Sequence, residues 1–89
     1  MDRYLVVHDV REGITQDQIY DSFQRVAAVA GPAKWQRSYY LPKSNQMICD
    51  WEAPDEASIR TAIRAAEVES LAPIKSIQFV VYADPDTFK

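Results

Sequence analysis

A single cysteine, two glycines and one histidine in 89 residues leave little room for the common functional signatures. One cysteine cannot make an internal disulfide or a CxxC pair. The expectation is a reducing, cytoplasmic setting, a bridge between two copies being the other use of a lone thiol. Gly13 and Gly31 stand far apart, so no glycine-rich phosphate loop is present, and neither is an HExxH motif or a serine in a nucleophile elbow. No apolar run approaches the ~18 residues that span a bilayer, and Met1–His8 lacks the long apolar stretch of a signal peptide, so no membrane association is expected. Cationic excess is missing as well: 10 Lys and Arg stand against 13 Asp and Glu, a net charge of −3. The counterion release that drives nucleic-acid binding has little to act on, so no nucleic-acid partner is expected.

What remains is an ordinary globular mixture, 47% hydrophobic and 26% charged, which predicts one domain over 1–89. A chain of this length buries only roughly 60% of the surface its unfolded form exposes. With no disulfide to compensate, association with a second copy is the obvious further source of stability.

The pattern along the chain alternates strands and helices. Arg3–His8 reads as a strand, and Thr15-Gln16-Asp17-Gln18 has the spacing of a capping box. Ile19, Phe23, Val26, Ala27 and Ala30 form one apolar stripe of a helix that Gly31-Pro32 stops. Trp35–Leu41 and Gln46–Glu52 flank the polar turn Pro42-Lys43-Ser44-Asn45 and predict a hairpin. Pro54 suits a first helical position, with Asp55 and Glu56 in the first turn and Ile59, Ala62, Ile63 and Ala66 as the second stripe. Ile74–Tyr82 reads as a last strand, and 83–89 as a tail. The order β-α-β-β-α-β predicts an α+β, ferredoxin-like fold: a four-stranded antiparallel sheet of order 4-1-3-2 with both helices on one face.

Alternation then assigns side chains to the two faces. Leu5 and Val7, Met47, Cys49 and Trp51, and Ile77, Phe79 and Val81 are expected against the helices. The open face is expected to gather Tyr4, Val6, His8, Ile48, Asp50, Glu52, Ser76, Gln78, Val80 and Tyr82. Strand two is undecided, since Trp35, Arg37, Tyr39 and Leu41 and the set Gln36, Ser38 and Tyr40 are both mixed, and a one-residue slip exchanges them. Such a half-apolar open face predicts a homodimer that closes two sheets into an α/β barrel.

The candidate chemistry centres on that face. His8 is the one side chain titrating near neutrality, and a diagonal contact with Asp50 would make a general acid/base pair or part of a metal site. A strand-end histidine capped by a neighbour is the plainer alternative. Asp50 and Glu52 point the same way about 7 Å apart, a spacing open to a divalent cation or to a salt bridge with Arg37. Cys49 is expected to be an inert buried thiol beside Trp51. Tyr4, Arg37, Tyr39 and Gln78 are the expected ligand-binding residues, with Tyr39 a further catalytic candidate.

The blocks Met1–Val7, Trp35-Gln36-Arg37-Ser38-Tyr39-Tyr40, Ile48-Cys49-Asp50-Trp51-Glu52-Ala53-Pro54-Asp55-Glu56 and Ile59-Arg60 resemble a bacterial family of small domains, some of whose members are nickel-binding proteins. The resemblance implies a ferredoxin-like fold that dimerises as an α/β barrel and a divalent metal, nickel, held largely by histidines. A histidine that many relatives carry in the second helix corresponds to Ala62 here, so His8 is the position that carries over as a ligand, with Asp50 and Glu52 as helpers. Two functions follow as expectations. One is a non-enzymatic binding protein for a metal ion or small ligand. The other is a barrel enzyme, of the small isomerase or cofactor-independent monooxygenase type, acting on an apolar molecule through His8 and Asp50.

Overall fold

The capping box forms as its spacing dictates: the Thr15 hydroxyl accepts from the Gln18 backbone N–H at 3.2 Å, and the Gln18 side chain accepts from the Thr15 N–H at 2.9 Å. It opens helix α1, Gln16–Ala27, in a computed structural model that describes residues 1–89. The helix ends short of Ala30, with a cap at Ala28. Helix α2 is Glu56–Ala66. Pro54 lies outside it rather than at its first position, because Asp55 is the cap: its carboxylate accepts from the Ser58 N–H at 2.8 Å. Glu67, at φ 57°, turns the chain out of α2 in the left-handed conformation.

The strands are β1 (Asp2–Asp9), β2 (Lys34–Leu41), β3 (Gln46–Ala53) and β4 (Ile74–Val80), all antiparallel in the order β2-β3-β1-β4. This is the expected α+β, ferredoxin-like layout. The last strand stops before Val81 and Tyr82, and the tail carries one 3-10 turn, Pro85–Phe88. Val81 is exposed rather than set against the helices.

One layer of core lies between the sheet and the helices. Ile59 and Ile63 of α2 are buried within 1% of completely, each contributing about 2 kcal/mol, and pack in one cluster with Val6, Met47, Cys49 and Trp51. The register reverses the expected faces of β1. Val6 pairs with Cys49 and His8 with Met47, so Tyr4, Val6 and His8 share the helix side with the inward residues of β3. Arg3, Leu5 and Val7 take the uncovered side, opposite Glu52, Asp50 and Ile48. Residues 4–7 are all apolar, so alternation within β1 alone could not choose a face; pairing with β3 does. A bulge between Trp35 and Arg37 settles β2: Trp35, Ser38 and Tyr40 face the helices, and Arg37 and Tyr39 lie on the uncovered side.

Candidate functional site

Two groups of functional side chains result, on opposite faces of the sheet. On the uncovered face, Asp50 is only 7% exposed although no helix covers it, because two arginines close over its carboxylate. Arg3 donates from Nη1 to Asp50 Oδ2 at 2.9 Å and from Nη2 to Glu52 Oε1 at 2.8 Å. Arg37 reaches the same Oδ2 at 3.5 Å, the salt bridge across the hairpin that the sequence allowed. Asp50 Oδ1 is buried with no partner. The Tyr82 ring lies under Arg3, 4.2 Å from ring centroid to guanidinium carbon, and the Tyr82 hydroxyl donates to Asp84 Oδ2 at 2.6 Å. The neighbouring Tyr82 raises the pKa of Arg37, with Asp50 adding to the shift. Tyr39 stands exposed on this face, and Gln78 donates to Ser76 at 3.3 Å.

Behind the sheet, His8 is 3% exposed and its Nδ1 lies 2.8 Å from the Ala72 carbonyl oxygen, an arrangement that makes Nδ1–H the donor. Burial lowers its pKa below the ordinary 6.5. The ring borders a small cavity of about 20 Å³, shared with Phe23, Trp35, Met47, Cys49 and Trp51. A chain of hydrogen bonds crosses the hairpin beside it: Trp35 Nε1–H donates to Ser38 Oγ at 2.8 Å, and Ser38 Oγ–H donates to Cys49 Sγ at 2.8 Å. Phe23 stacks on Trp35 with ring centroids 5.9 Å apart. Burial pushes the Cys49 thiol up to about 11, so it stays protonated near neutrality and is no nucleophile.

The expected pairing of His8 with Asp50 therefore does not form. The two lie on opposite faces of one sheet, so neither an acid/base pair nor a joint metal site with Glu52 exists within one copy. Tyr4 likewise turns to the helix side, edge-on to Phe79 at 5.9 Å. Arg37, Tyr39, Gln78, Asp50 and Glu52 do share the uncovered face. No three side chains among His, Cys, Asp and Glu converge to hold a metal ion. Sequence reasoning passed over Arg3, whose place two residues before Leu5 sets it opposite Glu52, and over Ser38 as the link between Trp35 and Cys49.

The neutral, buried state of His8 sets a pH response. The unfolded chain takes up a proton near 6.5 and the folded chain only at lower pH, so this contribution is fully present above 6.5 and is lost as pH falls toward the folded value. Thermal melts between pH 7.5 and 5 should show stability declining from about pH 6.5, and His8→Phe should remove that part of the slope. An unchanged slope in the variant would refute the assignment.

A sequence model of one family, described as "Nickel responsive protein SCO4226-like", matches residues 4–80. Among solved structures, the crystal structure of SCO4226 from Streptomyces coelicolor A3(2) is similar, with a TM-score of 0.77 over 92% of this chain and 99% of that chain. Sequence identity is 21%, and the likeness is one of fold. No curated protein sequence matches significantly.

Proposed function

The chain belongs to the SCO4226-like family of nickel responsive proteins, and from that premise we propose that it is a small non-enzymatic binding protein whose two copies pair sheet to sheet and take nickel(II) on the paired faces. The observation that carries this reading is the uncovered face itself, where Leu5, Val7, Ile48 and Tyr39 surround the adjacent carboxylates Asp50 and Glu52. Such a strip gains by burial against a second copy, and a two-fold axis sets the same strip on both sides. One copy offers two carboxylates there, too few for a divalent ion that fills an octahedral or square shell. Two copies bring twice that number around the axis. Arg3 and Arg37 already neutralise these carboxylates in the single copy. Nickel must therefore displace a guanidinium, so uptake is a competition between cations.

Native mass spectrometry with and without nickel(II) tests the reading. The expected result is a dimer that gains nickel in a fixed ratio, loses that gain in Asp50→Asn/Glu52→Gln, and keeps it in His8→Ala, whose ring faces the helices. A protein that stays monomeric would overturn the proposal, as would nickel uptake that depends on His8 and not on the two carboxylates.

A further inference from the structure

We propose that His8, Met47 and Cys49 form an interior site for a soft monovalent cation, copper(I), separate from the carboxylate face. The sheet register makes the cluster. His8 lies directly opposite Met47 on the helix side, a cross-strand pair whose Cβ atoms are about 5 Å apart, and Cys49 follows Met47 two residues along the same face, about 7 Å away. One imidazole nitrogen, one thioether and one thiol therefore border a single small cavity of about 20 Å³, room for one atom-sized guest.

The groups behind these three are already in place. The bond from Nδ1–H to the Ala72 carbonyl fixes the tautomer of His8 and leaves Nε2, which bonds no protein group, with its lone pair free. A backbone carbonyl on the far ring nitrogen is the usual support of a ligating histidine. Ser38 donates to Cys49 Sγ and is itself held by Trp35, so the hydroxyl can go on donating to sulfur once the thiol has lost its proton.

Charge selects the metal. Two sulfurs and an imidazole, with no carboxylate in the cavity wall, form a soft donor set. A monovalent ion bound to one thiolate leaves the buried site neutral, whereas a divalent ion would leave an uncompensated positive charge in an apolar interior. Binding exchanges one ion for another: copper(I) replaces the proton on Cys49 Sγ, a Cu–S bond forms as the S–H bond breaks, the proton passes to solvent, and no electron moves. His8 is neutral beforehand and releases nothing. Entry is provided by a groove of about 490 Å³ between α1 and β2, whose walls share Phe23 and Ser38 with the cavity.

The test is an anaerobic titration with copper(I) supplied as its bicinchoninate complex, followed by loss of the chelate's colour, native mass and pH in weak buffer. Circular dichroism confirms that every variant tested is folded. The folded protein should withdraw one copper per chain, release one proton per copper, and show copper–thiolate absorption in the near ultraviolet. Cys49→Ser should abolish transfer, the isosteric Met47→Leu should weaken it, and Ser38→Ala, which removes only the hydrogen bond to sulfur, should lower affinity about 10-fold. Copper that stays with bicinchoninate in the presence of folded wild-type protein would overturn the site. So would equal transfer to Cys49→Ser, or full affinity in both Met47→Leu and Ser38→Ala. Nickel uptake by the carboxylate face should be unchanged in Cys49→Ser, so the failure of either site is read independently of the other.

Discussion

Arg3→Ala is expected to cost about 3 kcal/mol of folding stability at neutral pH, the size seen when one partner of a largely buried ion pair is removed. Arg3 is the one side chain that reaches both carboxylates of the uncovered face, at 2.9 and 2.8 Å, and its guanidinium lies on the Tyr82 ring. Without it, Asp50 keeps only the 3.5 Å contact with Arg37, and one of its oxygens is already unpartnered. The loss comes from a stranded charge rather than from a missing bond. Arg3→Leu combined with Asp50→Leu should therefore regain most of it, because the pair can be exchanged for apolar packing. Urea unfolding at fixed protein concentration measures both variants. If the single and the double variant are equally destabilised, the stranded-charge account fails. For a domain of this size the single change should lower the melting temperature by about 15 °C.

Trp51 gives the second large effect. It is 2% exposed, its ring lies in the layer between sheet and α2, and its Nε1–H is buried with no acceptor. Trp51→Ala should cost about 4 kcal/mol through lost burial and the void left behind. Trp51→Phe discards no hydrogen bond, since none exists, and it removes an unsatisfied donor as well as some volume. It should cost less than about 1.5 kcal/mol. A phenylalanine variant as unstable as the alanine variant would mean that Trp51 Nε1–H is bonded in solution.

How much of this was legible in the sequence depended on whether a local signal was self-sufficient. The capping box at Thr15, the turn through Asn45 and the inward face of Met47, Cys49 and Trp51 each rest on residues a few places apart, and each could be read directly. The face of β1 could not. A run of four apolar residues alternates with nothing, and only the partner strand decides that His8 turns inward to the Ala72 carbonyl, 64 residues away in sequence. The carboxylate pair of the site was legible for the same reason as β3 itself. Its guanidinium cover was half legible: Arg37 was readable across the hairpin, whereas Arg3 belongs to the strand whose face was undetermined. The joint site of His8 with Asp50 fell with that face.

The bulge in β2 turns a counting rule into a record of shape. Residues on one side of a regular strand are separated by even numbers, yet Trp35 and Ser38, three apart, meet on one side and bond at 2.8 Å. An odd separation between two such partners is thus a written mark of the extra residue. Deleting Gln36 would restore ordinary parity and shorten the interval to two. Trp35 and the stretch from Arg37 to Leu41 would keep their sides in a regular strand without the bulge, so the length of this strand records its local bend as surely as the identity of any residue in it.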